Sequence, residues 1–243
     1  AQKEALIEEQ RKKSNPKTKR PFPKWVFWII AVAMVFQAIS LIPQTFSIPA
    51  IDFLRTSAKL STQEDIKAYK KAVVVIAAGE SRGTGFSISS DGIILTNDHV
   101  VEGRDTVTVA FPDDGLFNAK VVETYPEIDL AVLKTDGKNL PYLELAGQAV
   151  FGSDEPISFI GNPLGFQGIA NEGTIIDYMK LKDWDEEVVM VKAPVYRGNS
   201  GSPVINKQGK VIGVVFATYY HEEHGKVGLF VPIDYFHLNF DKG

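Results

Sequence analysis

The stretch RGNSGSPV at residues 197–204 places Ser200 between glycines, immediately before a short apolar run. Outward from it in both directions, similar short apolar runs alternate with turn signals such as Asp91-Gly92 and Gln208-Gly209. No run long enough for a crossover helix separates them, so the pattern predicts an all-β sandwich or pair of barrels rather than a parallel α/β sheet. The predicted strands are Ala72–Ala77, Gly85–Ile88, Ile93–Thr96, Thr106–Phe111, Ala119–Thr124, Leu130–Lys134, Ile157–Ile160, Ile169–Ile176, Val188–Lys192, Pro203–Ile205, Val211–Phe216 and Val227–Val231.

The composition is that of a folded protein: 243 residues, 44% hydrophobic and 23% charged. The absence of cysteine excludes a disulfide scaffold, an iron–sulfur cluster, a cysteine nucleophile and a thiolate zinc site. The net charge of −4 is unevenly distributed, since residues 1–24 carry a surplus of basic groups and residues 44–243 a larger surplus of acidic ones. Nucleic-acid binding is not expected of so acidic a body.

The apolar run WVFWIIAVAMVFQAISLI, Trp25–Ile42, contains only two polar residues, Gln37 and Ser40. As a helix it would extend roughly 27 Å, close to the hydrocarbon thickness of a bilayer. A buried core helix and a cleavable signal peptide are the alternatives, but the run lacks a polar face and exceeds the usual signal-peptide length. We predict an uncleaved transmembrane signal anchor over 25–43, binding the lipid bilayer through Trp25–Ile42.

Basic residues precede this run, and the excess of Lys and Arg predicts that residues 1–24 form a cytoplasmic tail. The rest of the chain is then extracytoplasmic. The basic residues are Arg11, Lys12, Lys13, Lys17, Lys19, Arg20 and Lys24.

Residues 44–71 are predicted to be a tether followed by a short helix. The pattern Ser61-Thr62-Gln63-Glu64 is typical of a capping box and predicts a helix over Thr62–Lys71. A closing helix is possible at Asp234–Phe240.

Three residues have the side chains and flanking sequence for nucleophilic hydrolysis: His99, Asp129 and Ser200. A hydroxyl attacks, an imidazole moves its proton, and a buried carboxylate fixes the imidazole tautomer. Asp129 interrupts an apolar run, where an unpaired carboxylate would be costly. Gly198 and Gly201 permit a tight backbone around the serine. Each residue alone has an ordinary structural interpretation, as a turn serine, a capping aspartate or a strand-end histidine, so the hypothesis depends on their joint presence and order.

Four motifs together resemble the HtrA/Deg-type trypsin-like serine proteases: TNDHVVEG at 96–103, EIDLAVLK at 127–134, IGNPLG at 160–165 and RGNSGSPV at 197–204. The resemblance implies a protease domain over 72–240, all-β, with two six-stranded antiparallel barrels at about 72–145 and 146–232. It implies that His99, Asp129 and Ser200 are catalytic, that the amides of Gly198 and Ser200 form the oxyanion hole, and that neither a metal nor an organic cofactor is needed.

The chain departs from the family pattern at several points. Because the sequence stops soon after the expected second barrel, we expect no PDZ domain. Ser202 replaces a usual glycine, and Asp98 places an additional acid beside His99. Asn199 is uncharged, so it cannot pair with the new N-terminus that proteolytic activation would create. We therefore expect no proteolytic activation step, and we expect activity to be controlled by the ordering of residues 193–199.

By resemblance, six residues border the primary substrate pocket, and the base of the pocket carries no carboxylate. The resemblance therefore predicts cleavage after small or medium apolar residues rather than after Arg or Lys. The predicted pocket residues are Pro194, Val195, Val215, Phe216, Ala217 and Thr218.

The sequence therefore predicts a membrane-tethered serine endopeptidase that cleaves exported or misfolded proteins at the outer face of a bacterial membrane. The alternatives are a catalytically silent, chaperone-like binding module of the same fold and an esterase on the same scaffold. Protein or peptide substrates are the expected partners, while the natural substrate and the oligomeric state stay open.

Overall fold

The computed structural model describes residues 3, 4, 7, 8, 23–45, 48–182 and 184–240. The chain divides into two compact units, residues 1–48 and residues 49–243. The finer domain boundaries expected from the sequence stay a prediction. Most of the basic tail predicted over 1–24, including residues 11–20, lies outside the described residues.

The first unit contains helix α1, Lys24–Thr45. Its large apolar side chains are well exposed, as in Trp25 (63%), Phe27 (80%) and Trp28 (72%). Within the described residues, no helix combines the length and the apolar character that crossing a membrane requires. The transmembrane anchor expected over 25–43 is therefore not confirmed.

The second unit contains two closed six-stranded antiparallel barrels, which confirms the predicted pair of barrels. In the first barrel the strand order is β1-β2-β3-β6-β5-β4. Its strands are β1 Val73–Ala78, β2 Ser81–Ser87, β3 Ile93–Thr96, β4 Thr106–Phe111, β5 Gly115–Tyr125 and β6 Leu130–Lys134. In the second barrel the order is β10-β11-β12-β9-β8-β7. Its strands are β7 Pro156–Gly161, β8 Ile169–Lys180, β9 Glu187–Lys192, β10 Pro203–Ile205, β11 Val211–His221 and β12 Gly225–Pro232.

Several strands extend beyond the apolar runs that predict them. Strand β11 was expected to end at Phe216 but continues to His221, because its ladder with β12 extends to the pair His221↔Gly225. The additional residues form an exposed hairpin, in which backbone hydrogen bonds rather than burial maintain the strand. Strand β2 begins at Ser81, four residues before the predicted start at Gly85, and ends at Ser87.

Helices precede and close the barrels. Part of the expected tether is helix α2, Ile48–Leu60, whose Phe53, Ser57 and Leu60 are buried at i, i+4 and i+7 on one face. Helix α3, Glu64–Ala72, begins after Gln63 and has no side-chain cap, so the expected capping box is wrong. The Ser61 hydroxyl instead donates to the Ser57 carbonyl at 2.5 Å. Helices α4, Asp98–Val101, and α5, Ile233–Phe240, complete the unit.

Candidate active site

His99 lies in the short helix α4, directly after strand β3. The start of this helix is fixed to the segment that holds Asp129, because the Asn97 side-chain amide donates to the Asp129 carbonyl at 2.8 Å. The His99 side chain is 46% exposed, so its imidazole is accessible from solvent.

Asp129 follows a 3-10 turn, Pro126–Ile128, and has left-handed backbone angles of φ 48° and ψ 48°. One carboxylate oxygen accepts a hydrogen bond from the His99 backbone amide at 3.0 Å. The other oxygen lies 2.7 Å from His99 Nδ1. With Nδ1 engaged in this way, His99 Nε2 is the ring nitrogen left to exchange a proton with another group.

The electrostatic surroundings of His99 raise its pKa above the ordinary value. The hydrogen bond to Asp129 is the largest cause, burial opposes it, and the charges of Asp129, Asp98 and Glu102 add to the increase. Asp98 has a raised pKa of its own, chiefly because of burial and then because of the nearby Asp129 charge.

The backbone amides around Ser200 divide into two groups. Those of Asn199, Gly201 and Ser202 donate to the carbonyls of Tyr196, Val215 and Asn199 at 3.0, 2.8 and 2.9 Å. The amides of Gly198 and Ser200 make no hydrogen bond to any protein acceptor in the part of the chain that the structure describes. Two unengaged N–H groups therefore flank the serine, as an oxyanion hole requires.

The carbonyls of the same loop are also held. Leu164 N–H donates to the Arg197 carbonyl at 3.1 Å, and Thr84 N–H donates to the Ser200 carbonyl at 2.9 Å. The Thr84 hydroxyl donates to the Gly198 carbonyl at 2.7 Å. Because C=O and N–H point in opposite directions across a trans peptide, engagement of the Arg197 carbonyl turns the Gly198 N–H away from Leu164.

Two positions in this loop require glycine. Gly198 and Gly201 have φ angles of 97° and 86°, which L side chains rarely adopt. A Cβ on Gly201 would lie 1.8 Å from the Thr84 carbonyl oxygen, so this position also lacks space for a side chain.

Of the three residues expected to act together, the structure brings His99 and Asp129 into direct contact, while the Ser200 hydroxyl is bonded elsewhere. The Ser200 hydroxyl donates to the Phe216 carbonyl at 3.3 Å, and among the described residues no hydrogen bond joins it to His99. Gly83 lies between the helix that carries His99 and the loop that carries Ser200. A Cβ on Gly83 would be 2.7 Å from the Val100 side chain and 3.4 Å from the Ser200 carbonyl oxygen.

The segment between β9 and β10, residues 193–202, is called the serine loop. Sequence reasoning missed Thr84 and Leu164 as residues that position this loop. Thr84 is fully buried, and its flanking glycines, Gly83 and Gly85, mark a strand that neighbouring groups approach closely. Leu164 has a left-handed backbone, with φ 54°, immediately before Gly165. The glycines around Thr84 were a signal for that residue, and Leu164 lies in the motif IGNPLG, although the motif does not indicate that its backbone N–H holds the loop.

Of the six predicted pocket residues, four lie in β11 and two, Pro194 and Val195, follow the end of β9. Val195 and Val215 are buried, Pro194, Phe216 and Ala217 are half-buried, and Thr218 is exposed. The Phe216 ring stacks on Trp184 at 4.8 Å. None of the six lines the cavity of about 210 Å³ beside Gly198, whose walls include Asn162 and Arg197.

The unusual Ser202 has space because of a glycine opposite it. A Cβ on Gly161 would lie 2.2 Å from the Ser202 hydroxyl and 2.4 Å from Asn199 Oδ1. Both side chains are fully buried, and their polar atoms have no hydrogen-bond partner among the described residues. The neutral Asn199 side chain therefore does not hold the loop through an ion pair or a hydrogen bond.

A carboxylate-held histidine next to one barrel, with a glycine-flanked serine next to a second, is the combination found in the two-barrel serine protease class. The sequence agrees with this class, since residues 83–214 match the trypsin-like peptidase domain family. The chain belongs to that family.

Curated relatives and solved structures similar to this chain are also described as proteases. A probable periplasmic serine endoprotease, DegP-like, from Pseudomonas putida is 37% identical over 159 residues, which cover 64% of this chain and 33% of the relative. A protein of the same description from Chlamydia pneumoniae is 38% identical over 137 residues, covering 55% of this chain and 28% of the relative. The chain thus spans about a third of the length of the curated relatives it matches.

Two solved structures share the fold. The inactive form of the Rv3671c protease, from M. tuberculosis, is 30% identical with a TM-score of 0.65, covering 75% of this chain and 94% of that one. The HtrA-type protease AlgW with a tripeptide is 29% identical with a TM-score of 0.64, covering 70% and 59%.

Proposed function

We propose that this chain is a serine endopeptidase in which Ser200 is the nucleophile, His99 the general base and acid, and Asp129 the carboxylate that orients the imidazole. The oxyanion hole is formed by the amides of Gly198 and Ser200. The proposal is supported above all by the hydrogen bonds of the serine loop, which engage the amides of Asn199, Gly201 and Ser202 and leave those of Gly198 and Ser200 without an acceptor among the described residues.

The chemistry proceeds through an acyl-enzyme. Ser200 Oγ turns from the Phe216 carbonyl, gives its proton to His99 Nε2 and attacks the scissile carbonyl carbon. The carbonyl oxygen becomes an oxyanion that accepts hydrogen bonds from Gly198 and Ser200, while Asp129 stabilises the imidazolium. His99 then protonates the leaving amine, and water hydrolyses the ester by the same steps.

The decisive experiment is labelling with a fluorophosphonate, together with cleavage of an unfolded protein substrate. We expect the full chain to be labelled on Ser200 and to cleave the substrate, and the Ser200→Ala variant to do neither. A folded chain that binds unfolded protein without labelling or cleavage would instead be the catalytically silent binding module. Hydrolysis of esters without cleavage of proteins would indicate the esterase.

Exported or misfolded proteins at the outer face of a membrane are the proposed substrates. The support is that the curated relatives are described as periplasmic endoproteases. The run Trp25–Ile42, with the basic residues before it, supports a single-pass anchor with a cytoplasmic N-terminus. Expression in bacterial cells, alkaline extraction of membranes and protease accessibility test this arrangement. Release of the chain by alkali, or a barrel unit protected in intact spheroplasts, would refute it.

Cleavage after small or medium apolar residues is the proposed preference, because the six pocket residues are mostly apolar and include no carboxylate. A peptide library digested by the chain, with Ser200→Ala as the blank, measures the preference. Predominant cleavage after Arg or Lys would refute it.

A further inference from the structure

Helix α2 packs directly on the second barrel through its buried face. Ser57 Oγ accepts a hydrogen bond from the Ala170 backbone amide of strand β8 at 3.1 Å. Phe53 and Leu60, which flank Ser57 on the same face, are 3% and 4% exposed. The helix is thus an integral part of the barrel unit and not a free connection.

Phe53 contacts the serine loop itself. Its ring meets that of Tyr196 edge to face, with the ring centroids 4.9 Å apart and the planes at 74°. The ammonium group of Lys226, on strand β12, lies 5.6 Å from the centroid of the same Tyr196 ring. Two elements outside the loop therefore determine where the Tyr196 ring lies.

Tyr196 in turn holds the backbone next to the nucleophile. Its carbonyl accepts the Asn199 N–H at 3.0 Å, which fixes the peptide between the two free amides of Gly198 and Ser200. The Asn199 side chain gives no help, since its amide group has no partner among the described residues. Tyr196 therefore connects helix α2 to the backbone that carries the proposed oxyanion-hole amides.

We propose that Phe53 is a positioning residue for the serine loop, and that helix α2 keeps the oxyanion hole assembled through the Phe53–Tyr196 contact. The inference rests on the proposed function and adds its regulation: a segment N-terminal to both barrels sets the activity of Ser200. Displacement of α2 lowers activity while leaving the His99–Asp129 pair intact.

The test compares two truncations on one helix face in the full chain. Phe53→Ala removes the contact with Tyr196, whereas Leu60→Ala removes a buried side chain of the same face that has no ring contact with the loop. We expect Phe53→Ala to lower kcat and the rate of fluorophosphonate labelling by about tenfold, the size of effect that loss of an aromatic pair produces. KM and the acid limb of the pH profile stay unchanged. Leu60→Ala lowers the melting temperature but leaves kcat per folded molecule unchanged.

Two further variants separate positioning from folding. Phe53→Leu retains bulk and recovers part of kcat, and the double variant of Phe53→Ala with Tyr196→Leu is no less active than Tyr196→Leu alone, because the two rings act through one contact. Additive losses, or equal kcat for Phe53→Ala and Leu60→Ala, would overturn the inference. A wild-type chain that neither cleaves nor labels would instead overturn the proposed function.

Discussion

At the residue scale, the pKa of His99 depends on further acids besides Asp129, whose carboxylate orients the imidazole. Asp129 contributes the hydrogen bond, while Asp98 and Glu102 contribute charge that also raises the pKa of His99. In the proposed mechanism the imidazole must be neutral to accept the Ser200 proton, so we expect activity to be lost as the pH falls through this raised pKa. The acid limb of the pH profile is therefore set by neighbouring charge as well as by the orienting carboxylate.

The Asp98→Asn variant tests this dependence. Removing the negative charge makes the imidazolium less stable, so the pKa of His99 falls and the acid limb of kcat/KM moves to lower pH. Activity in mildly acidic solution rises, and the alkaline plateau stays the same. Glu102→Gln is the matched control, with a smaller shift in the same direction because Glu102 contributes less. A limb that stays in place, or moves to higher pH, would contradict the assignment.

At the element scale, the turn Pro163–Gly165 holds the serine loop at the cost of local strain. Leu164 donates its N–H to the Arg197 carbonyl from a left-handed conformation, φ 54° and ψ 23°. Its side chain is 57% exposed and contributes little packing. The backbone of this turn therefore does the positioning, and the side chain of Leu164 is dispensable for it.

Leu164→Gly is expected to raise the free energy of unfolding by up to about 1 kcal/mol, since glycine removes a left-handed penalty of 1–2 kcal/mol but adds freedom to the unfolded chain. Cleavage activity is retained because the N–H remains. Leu164→Ala, which loses the same side chain but keeps the penalty, should give no stabilisation. Urea unfolding of the three proteins measures the difference, and equal effects of Gly and Ala would contradict the strain.

The same scale explains what the sequence could predict. The centres of the strands follow from apolar runs, as at Ile93–Thr96, which matches β3 residue for residue. Strand ends such as Tyr219–His221 could not be predicted, because cross-strand hydrogen bonds in exposed hairpins leave no apolar pattern. Helix α2 was missed because its buried face shows only Phe53, Ser57 and Leu60, with a polar residue in the middle.

In the candidate site, too, some residues could be predicted from the sequence and others could not. His99, Asp129 and Ser200 could be proposed because each belongs to a motif whose chemistry requires that residue type. Thr84 could not, because a buried hydroxyl that positions a loop and one that fills a strand look alike in sequence. Only the fold brings residue 84 to residues 198–200, more than a hundred positions away.

At the scale of the whole molecule, Thr84 joins the two barrels at the proposed active site. From β2 of the first barrel, its hydroxyl donates to Gly198 and accepts the Asn162 N–H at 2.9 Å, and its amide donates to Ser200. Its carbonyl accepts from the Thr96 hydroxyl at 2.7 Å, which connects it to β3 just before His99. A single buried residue thus relates the serine loop of one barrel to the histidine strand of the other.

Thr84→Val keeps the shape and removes the hydroxyl, leaving the Gly198 carbonyl and the Asn162 amide without their partner. We expect a stability loss of about 1–3 kcal/mol and, because the serine loop shifts, a fall in kcat on the order of 10²-fold. Thr84→Ser keeps the hydroxyl and deletes one methyl group, so it loses about 1 kcal/mol of stability but little kcat. Kinetics per folded molecule, alongside thermal unfolding, separate the two effects. If Thr84→Val kept kcat while Thr84→Ser lowered it, the methyl group rather than the hydrogen bonds would relate the barrels, and Thr84 would be only a packing residue.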